Sequence, residues 1–279
     1  MERITSQVEL HHEELEVPAS LTPFIVRRMR TWSDEPVDFA MTLPPTGTMF
    51  LTLVLGDPMV LEFPPKAPER APELFVGGQI RDTLPTSRVR GCVGVTGFEF
   101  TPTGFHRLFH KDCQAFTDAA TPLTTVLSAG PLHQDLTEAA DIGDKMAVLR
   151  SFLLEQVSGA RPPTVVDSTV ARIEAARGSV TVAELARACH LSARQLNRRF
   201  LREVGVGPKH LAKVIQLKDA MTTLASGGAG TLRTLAQSAG YFDQSHFIND
   251  FQRLVGTNPL AFLHAGESFL RIYMRHQRN

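Results

Sequence analysis

The stretch CHLSARQLNRRF, Cys189 to Phe200, places Arg194, Asn197, Arg198 and Arg199 within six residues. Arginine can bond guanine O6 and N7 in a bidentate manner, and asparagine can do the same at adenine N6 and N7. The chemistry open to this set is recognition of a duplex edge and its phosphates. On a helix centred on Leu196 as the buried position, Arg194 and Arg198 point about 160° away on either side. Asn197 and Leu201 flank them. Arg199 lies nearer the buried edge, within reach of a neighbouring backbone or phosphate, and Arg202 extends the cationic run. For an isolated helix, a solvated charged face is the plainer reading.

A second group with chemical potential is His106, His110 and Cys113, at i, i+4 and i+7. On one continuous helix they would share a face, and neutral imidazole and thiolate are good zinc ligands. Two surface histidines beside an ordinary buried cysteine is the plainer reading, so no metal is assigned. Cys92 in RGCVGV, with Cys113, leaves a thiol-responsive or enzyme-like first half as the alternative function. No Gly-rich phosphate loop, nucleophile elbow or two-histidine zinc-protease motif is present, so no enzyme activity and no cofactor are expected.

The positioning elements follow from how charge and proline divide the chain. Its 279 residues carry zero formal net charge. Residues 1–160 nevertheless hold 13 Lys+Arg against 21 Asp+Glu, and residues 161–279 hold 16 against 8. A basic second half points to a polyanion partner. Of the 18 prolines, 16 lie at or before Pro163, which leaves the second half free to hold helices. Pro162-Pro163 reads as a linker, so the expected domains are 1–160 and 164–279. Three scattered cysteines and a polar, acidic N-terminus suggest a cytoplasmic protein, and no apolar run is long enough to cross a membrane.

The basic half contains a repeat. Leu185-Ala186 matches Leu235-Ala236 at an offset of 50; Leu196, Phe200, Gly205 and Pro208 match Phe247, Phe251, Gly256 and Pro259 at an offset of 51. Each unit reads as helix, turn, helix, at about 181–205 and 231–256, around a linker helix at about 208–226. Thr181 with Glu184, and Ser192 with Gln195, form capping-box patterns, and Asp243 is the matching N-cap. Gly205 and Gly256 stop the second helices. The outward positions of the second unit are Ser245, Ile248, Asn249 and Gln252, which carry no charge. Two such units in a basic half favour double-stranded DNA over a solvated face.

In the first half, TMFLTLVLG, MVLEF and ELFVGGQI read as strands, and CVGVTGFEFTPTGFHRLF as strand, turn and helix. Met146, Leu149, Phe152, Leu153 and Val157 form the apolar stripe of a later helix. The fold class is therefore an α+β N-terminal domain with short strands followed by helices, and an all-α C-terminal domain of two helix-turn-helix units joined by a long helix.

Residues 165–263 resemble the AraC/XylS family of bacterial transcription regulators, through LARACHLSARQLNRRF…GVGP and LRTLAQSAGYFDQSHFINDFQRLVGTNPLAF. The GFEFTPTGFHRLF region is similar to a sensor-type domain of one branch. The resemblance implies two subdomains reading successive major grooves. Arg194, Asn197 and Arg198 would be contacts of the first, and Gln244, Ser245, His246 and Asn249 of the second. It implies a small effector or dimerisation for the first half, with DNA, a second copy of the chain and RNA polymerase as partners. His190 stands where the family pattern usually has glycine, Asn249 and Asp250 where it often has arginine and another polar or basic residue, and Gln216 where it commonly has an arginine. The first unit should therefore dominate affinity.

Overall fold

A computed structural model describes residues 10–127, 130–225 and 231–264 of the chain. The first nine residues, Ser226 at the end of the expected linker helix, and residues 265–279 of the expected C-terminal domain lie outside that range.

Among the described residues, the N-terminal half contains ten strands: β1 (His11–Leu15), β2 (Ile25–Trp32), β3 (Val37–Thr42), β4 (Phe50–Val54), β5 (Met59–Glu62), β6 (Glu69–Arg70), β7 (Leu74–Gly77), β8 (Thr86–Gly91), β9 (Gly94–Phe100) and β10 (Ala120–Pro122). They form a six-stranded sheet, β1-β2-β9-β4-β7-β10, and a four-stranded sheet, β3-β8-β5-β6. Every pairing is antiparallel. Alternation sets the faces. In β3, Val37, Phe39 and Met41 are buried while Asp38 is exposed; in β8, Ser87 and Val89 are buried while Arg88 and Arg90 are exposed. The inward rows of the two sheets face one another across a cavity.

Four helices complete this half: α1 (Gly104–Phe109), α2 (Leu123–Val126), α3 (Gly130–Glu138) and α4 (Ile142–Val157). Met146, Leu149 and Leu153 of α4 enter the same core as Phe98, Phe100 and Phe105. The strand, turn and helix expected at Cys92–Phe109 is present as β9 and α1. In β2 the sequence IVRRMRTW interrupts the apolar positions with three arginines, which masks the strand pattern. Arg27 is buried there because it pairs with Glu99 on β9, Nη2 to Oε2 at 2.6 Å.

The C-terminal half is helical: α5 (Val165–Ala175), α6 (Val182–Ala188), α7 (Ala193–Val204), α8 (Pro208–Ala225), α9 (Leu232–Ser238), α10 (Gln244–Val255) and α11 (Pro259–His264). Helix α8 is shared by two cores. Its Leu211 and Ala212 join Leu185, Leu196 and Phe200 around the first unit. Its Leu217, Met221 and Leu224 join Leu235, Phe247 and Phe251 around the second. One rigid helix therefore fixes the separation of α7 and α10.

Candidate nucleic-acid interface and cavity

The recognition helices begin and end as their sequences dictate. Ser192 and Gln195 form a reciprocal capping box at the start of α7, and Asp243 accepts from the His246 N–H at the start of α10. Gly205 (φ 95°) and Gly256 (φ 78°) close the two helices in the left-handed region. Leu196, Phe200, Phe247 and Phe251 are fully buried, which turns the opposite faces to solvent.

On α7, Arg194, Asn197, Arg198 and Arg199 are all exposed. Two of the expected contacts are partly committed elsewhere. A Cβ built on Gly207 would come within 2.5 Å of Asn197 Oδ1, so the carboxamide lies against the turn leading to α8. Arg202 donates to Glu203 Oε1 at 2.9 Å. Glu203 is itself buried and accepts from the Thr164 hydroxyl at 2.6 Å. Arg194, Arg198 and Arg199 thus form the most available cationic face. Arg199 is exposed as well.

On α10, Gln244, Ser245, His246 and Asn249 are exposed. His246 stacks edge-on against Tyr241 and lies 3.5 Å from Asp250. Asp250 is buried, and its carboxylate also receives Lys213 Nζ of α8 at 2.6 Å and Arg253 of α10 at 3.3 Å. Its place in the sequence had the look of a lost basic contact. In the fold it ties the recognition helix to the linker helix.

The turns of the two units differ by one residue, and the backbone locates it. His190 (φ 54°) and Gly240 (φ 74°) occupy the same left-handed position. The next residues then make equivalent bonds, Leu191 N to Ala186 O at 3.0 Å and Tyr241 N to Ala236 O at 2.9 Å. The extra residue is therefore Phe242, immediately before the Asp243 cap and 93% exposed. Histidine is tolerated at the first turn, but a Cβ at Gly240 would collide with the Ser179 hydroxyl. Gln216 of α8 donates to that same hydroxyl at 3.4 Å, so glutamine here packs the second turn against the first unit.

The expected one-face cluster of His106, His110 and Cys113 does not form. Helix α1 stops at Phe109 because His110 turns left-handed (φ 60°), and Cys113 starts a separate short turn. His106 is buried with both ring nitrogens engaged, one by Lys111 O at 2.6 Å and the other by Arg161 at 3.0 Å. His110 Nε2 donates to Gly159 O at 2.9 Å. Burial pushes the Cys113 thiol far above its usual range. Among the described residues, no three His, Cys, Asp or Glu side chains are placed to hold a metal ion. Cys92 is half-buried beside the β8–β9 turn.

The cavity between the sheets has a volume of about 240 Å³. Phe39, Met41, Met59 and Val89 line it from one sheet, and Met29, Phe50 and Phe75 from the other. Its wall is also the docking surface for the helical half. Met29 and Phe50 pack against the core of the second unit. The carbonyl of Ile80, another lining residue, accepts from His210 Nε2 of α8 at 3.0 Å.

Residues 185–265 match the family model described as a helix-turn-helix domain. This segment is an AraC-type helix-turn-helix domain. Such domains bind DNA in transcription regulation. No curated protein matches the chain. Among solved structures, it is similar to ToxT from Vibrio cholerae at 9% identity, over 94% of this chain and 100% of that one, with a TM-score of 0.48. Similarity to the C-terminal domain of AraT, a response regulator from Geobacillus stearothermophilus, covers 38% of this chain and 88% of that one, at 22% identity and a TM-score of 0.36. A probable AraC family transcriptional regulator from Rhodopseudomonas palustris is similar at 26% identity over 37% and 98% of the two chains, with a TM-score of 0.34. No helix among the described residues is long and apolar enough to cross a membrane.

Proposed function

We propose that this protein is a sequence-specific DNA-binding transcription regulator with a sensor in its first half. Residues 164–279 read DNA, and residues 1–160 bind a small effector in the cavity between the two sheets. The supporting observation is the exposed face of Arg194, Arg198 and Arg199 on α7, held with the polar face of α10 on one rigid linker helix. Arg194, Asn197, Arg198, Arg199 and Arg202 supply base and phosphate contacts in the first unit. Gln244, Ser245, His246 and Asn249 supply hydrogen bonds in the second. Dimerisation through the first half belongs to the same reading, with sedimentation of the full chain as its check; RNA polymerase is a further expected partner.

The test is fluorescence anisotropy of labelled duplex DNA across a salt series. Phosphate neutralisation releases counterions, with a logarithmic slope of about −0.9 per contact on duplex DNA. Three or four arginine contacts therefore give a slope of about −3 to −4. No binding at low salt, or a slope near zero, overturns the reading.

A further inference from the structure

We propose that the cavity takes an uncharged, apolar molecule, and that the segment from Cys113 to Ala120 passes its occupancy to the C-terminal end of recognition helix α7. This rests on the sensor reading above and adds its ligand class and its route of regulation.

The ligand class follows from the lining. Phe39, Phe50, Phe75, Met29, Met41 and Met59 surround the space, and no Asp, Glu, Lys, Arg or His among the described residues lines it. Its polar side-chain groups are Thr and Ser hydroxyls, and four of these are already engaged, Thr31 with His12 Nδ1 at 3.0 Å and Thr46 with Thr48 at 2.8 Å among them. The Thr48 hydroxyl donates to Glu99 Oε1 at 2.9 Å, and the Thr96 hydroxyl donates to Met29 O at 2.9 Å. A carboxylate or ammonium placed here would lose its water and gain no countercharge. An apolar cavity of about 150 Å³ accommodates benzene; about 240 Å³ suits a ring with a short chain, or an alkyl chain alone.

The route follows from one short segment with two jobs. Ala119 and Ala120 form part of the cavity wall. They are tied to the neighbouring strand of the same wall, with Ala120 opposite Gly77 in the β10–β7 ladder and Gly78 N donating to Ala119 O at 3.0 Å. There is no slack behind them, because a Cβ on Gly78 would overlap the Phe116 carbonyl. Asp118, left-handed at φ 55°, accepts from Arg81 N at 2.8 Å and so holds the segment to the loop carrying Ile80.

At its other end the same segment caps α7. The last carbonyls of a helix lack intrahelical donors. Here Thr117 Oγ1 donates to Gly205 O at 2.8 Å, and Cys113 Sγ donates to Glu203 O at 3.4 Å. The first half thus supplies donors that the helix bearing Arg194, Arg198 and Arg199 lacks. A ligand that orders Ala119 and Ala120 orders Thr117, and through it the C-terminus of α7.

The test uses the full chain with ethylbenzene and 1-octanol as neutral probes, and phenylacetate and octanoate as their charged counterparts. Thermal unfolding and hydrogen exchange are read with each. The neutral probes raise the melting temperature in a concentration-dependent way, and the anions do not. In the wild type the neutral probes slow exchange of the Val204, Gly205 and Val206 amides several-fold. In Thr117→Val, which keeps the shape and removes the hydroxyl, the melting shift persists and the slowing at α7 is lost. Cys113→Ala, which removes the second cap donor, gives a smaller loss and serves should Thr117→Val fail to fold. Equal or stronger stabilisation by the anions, or by none of the four, overturns the ligand class. Stabilisation without any change at α7, or an unchanged response in both variants, overturns the route. Stabilisation by neutral probes in a chain that binds no DNA strikes the regulator reading and leaves the cavity's ligand class standing.

Discussion

Lys213 Nζ on the linker helix lies 2.6 Å from Asp250 Oδ2 on the second recognition helix. The ammonium also sits 4.6 Å from the centre of the Tyr241 ring, at the turn that leads into that helix. These contacts fix α10 on α8, so the separation of the two DNA-facing helices is set by a charge pair as well as by apolar packing. Removing one partner leaves the other largely buried. Asp250→Asn is therefore expected to cost about 2 kcal/mol, the scale for a hydrogen bond involving charged groups, read by urea unfolding. Footprints of this variant should weaken over the second half-site and persist over the first. An unchanged stability would contradict the anchoring role.

Phe242 is the extra residue of the second turn, and it stands open at the start of α10. An aromatic side chain in a major groove has the thymine methyl as its apolar partner. Phe242→Ala is expected to lower DNA affinity several-fold without lowering the melting temperature. Replacing thymine by uracil in the second half-site should penalise the wild type and leave Phe242→Ala nearly unaffected. Equal penalties for both proteins would contradict the contact.

The joint between the halves should loosen in mild acid. His210 donates to the Ile80 carbonyl, and burial lowers its pKa below the ordinary 6.5. The Ile80 carbonyl bond and Asp82 and Asp118 oppose that shift, while Arg253 adds to it. His106, at the same joint beside Arg161 and Glu203, is lowered by burial as well. The folded chain binds these protons less readily than the unfolded one, so stability rises with pH across this window. The contribution is complete above pH 6.5 and disappears as pH falls through the lowered folded values. Melting temperature measured from pH 7.5 to 5 should drop, and His210→Gln should flatten part of the slope. A wild-type curve with no pH dependence there would count against it.

Cysteine labelling separates the thiols. Cys113 is fully buried with its pKa pushed up by burial, while Cys92 is half-buried. Iodoacetamide on the native chain near pH 7.5 is expected to modify Cys92 and spare Cys113, as mapped by mass spectrometry. Equal labelling rates would mean that the cap on α7 opens readily.

Local signals made the C-terminal half legible. Thr181 with Glu184, Ser192 with Gln195, and Asp243 are caps whose partners lie three residues away, so sequence spacing alone exposes them. What escaped depends on long-range partners. Arg27 reads as a surface charge until Glu99, 72 residues away, is placed beside it. Glu203 and Asp250 are both buried as ties between elements, with partners Thr164 and Lys213 on other helices or turns. His106, His110 and Cys113 failed as a one-face set for a local reason: the left-handed His110 ends the helix that would have aligned them. The cap donors Thr117 and Cys113 gave no local signal, since their acceptors lie 88 and 90 residues further on.

The central claim is that α7 is the stronger of two DNA readers. Its four arginines are all exposed and, among the described residues, only Arg202 is held in an ion pair, with Glu203, whereas Arg253, the one arginine of α10, is paired with Asp250. The most direct measurement is the affinity of Arg198→Ala and Asn249→Ala for one footprinted site at fixed salt. Loss of a bidentate arginine contact costs about 1–3 kcal/mol, or roughly fivefold to 150-fold. The account predicts that loss for Arg198→Ala and less than about threefold for Asn249→Ala. Equal losses, or a larger loss for Asn249→Ala, would contradict it.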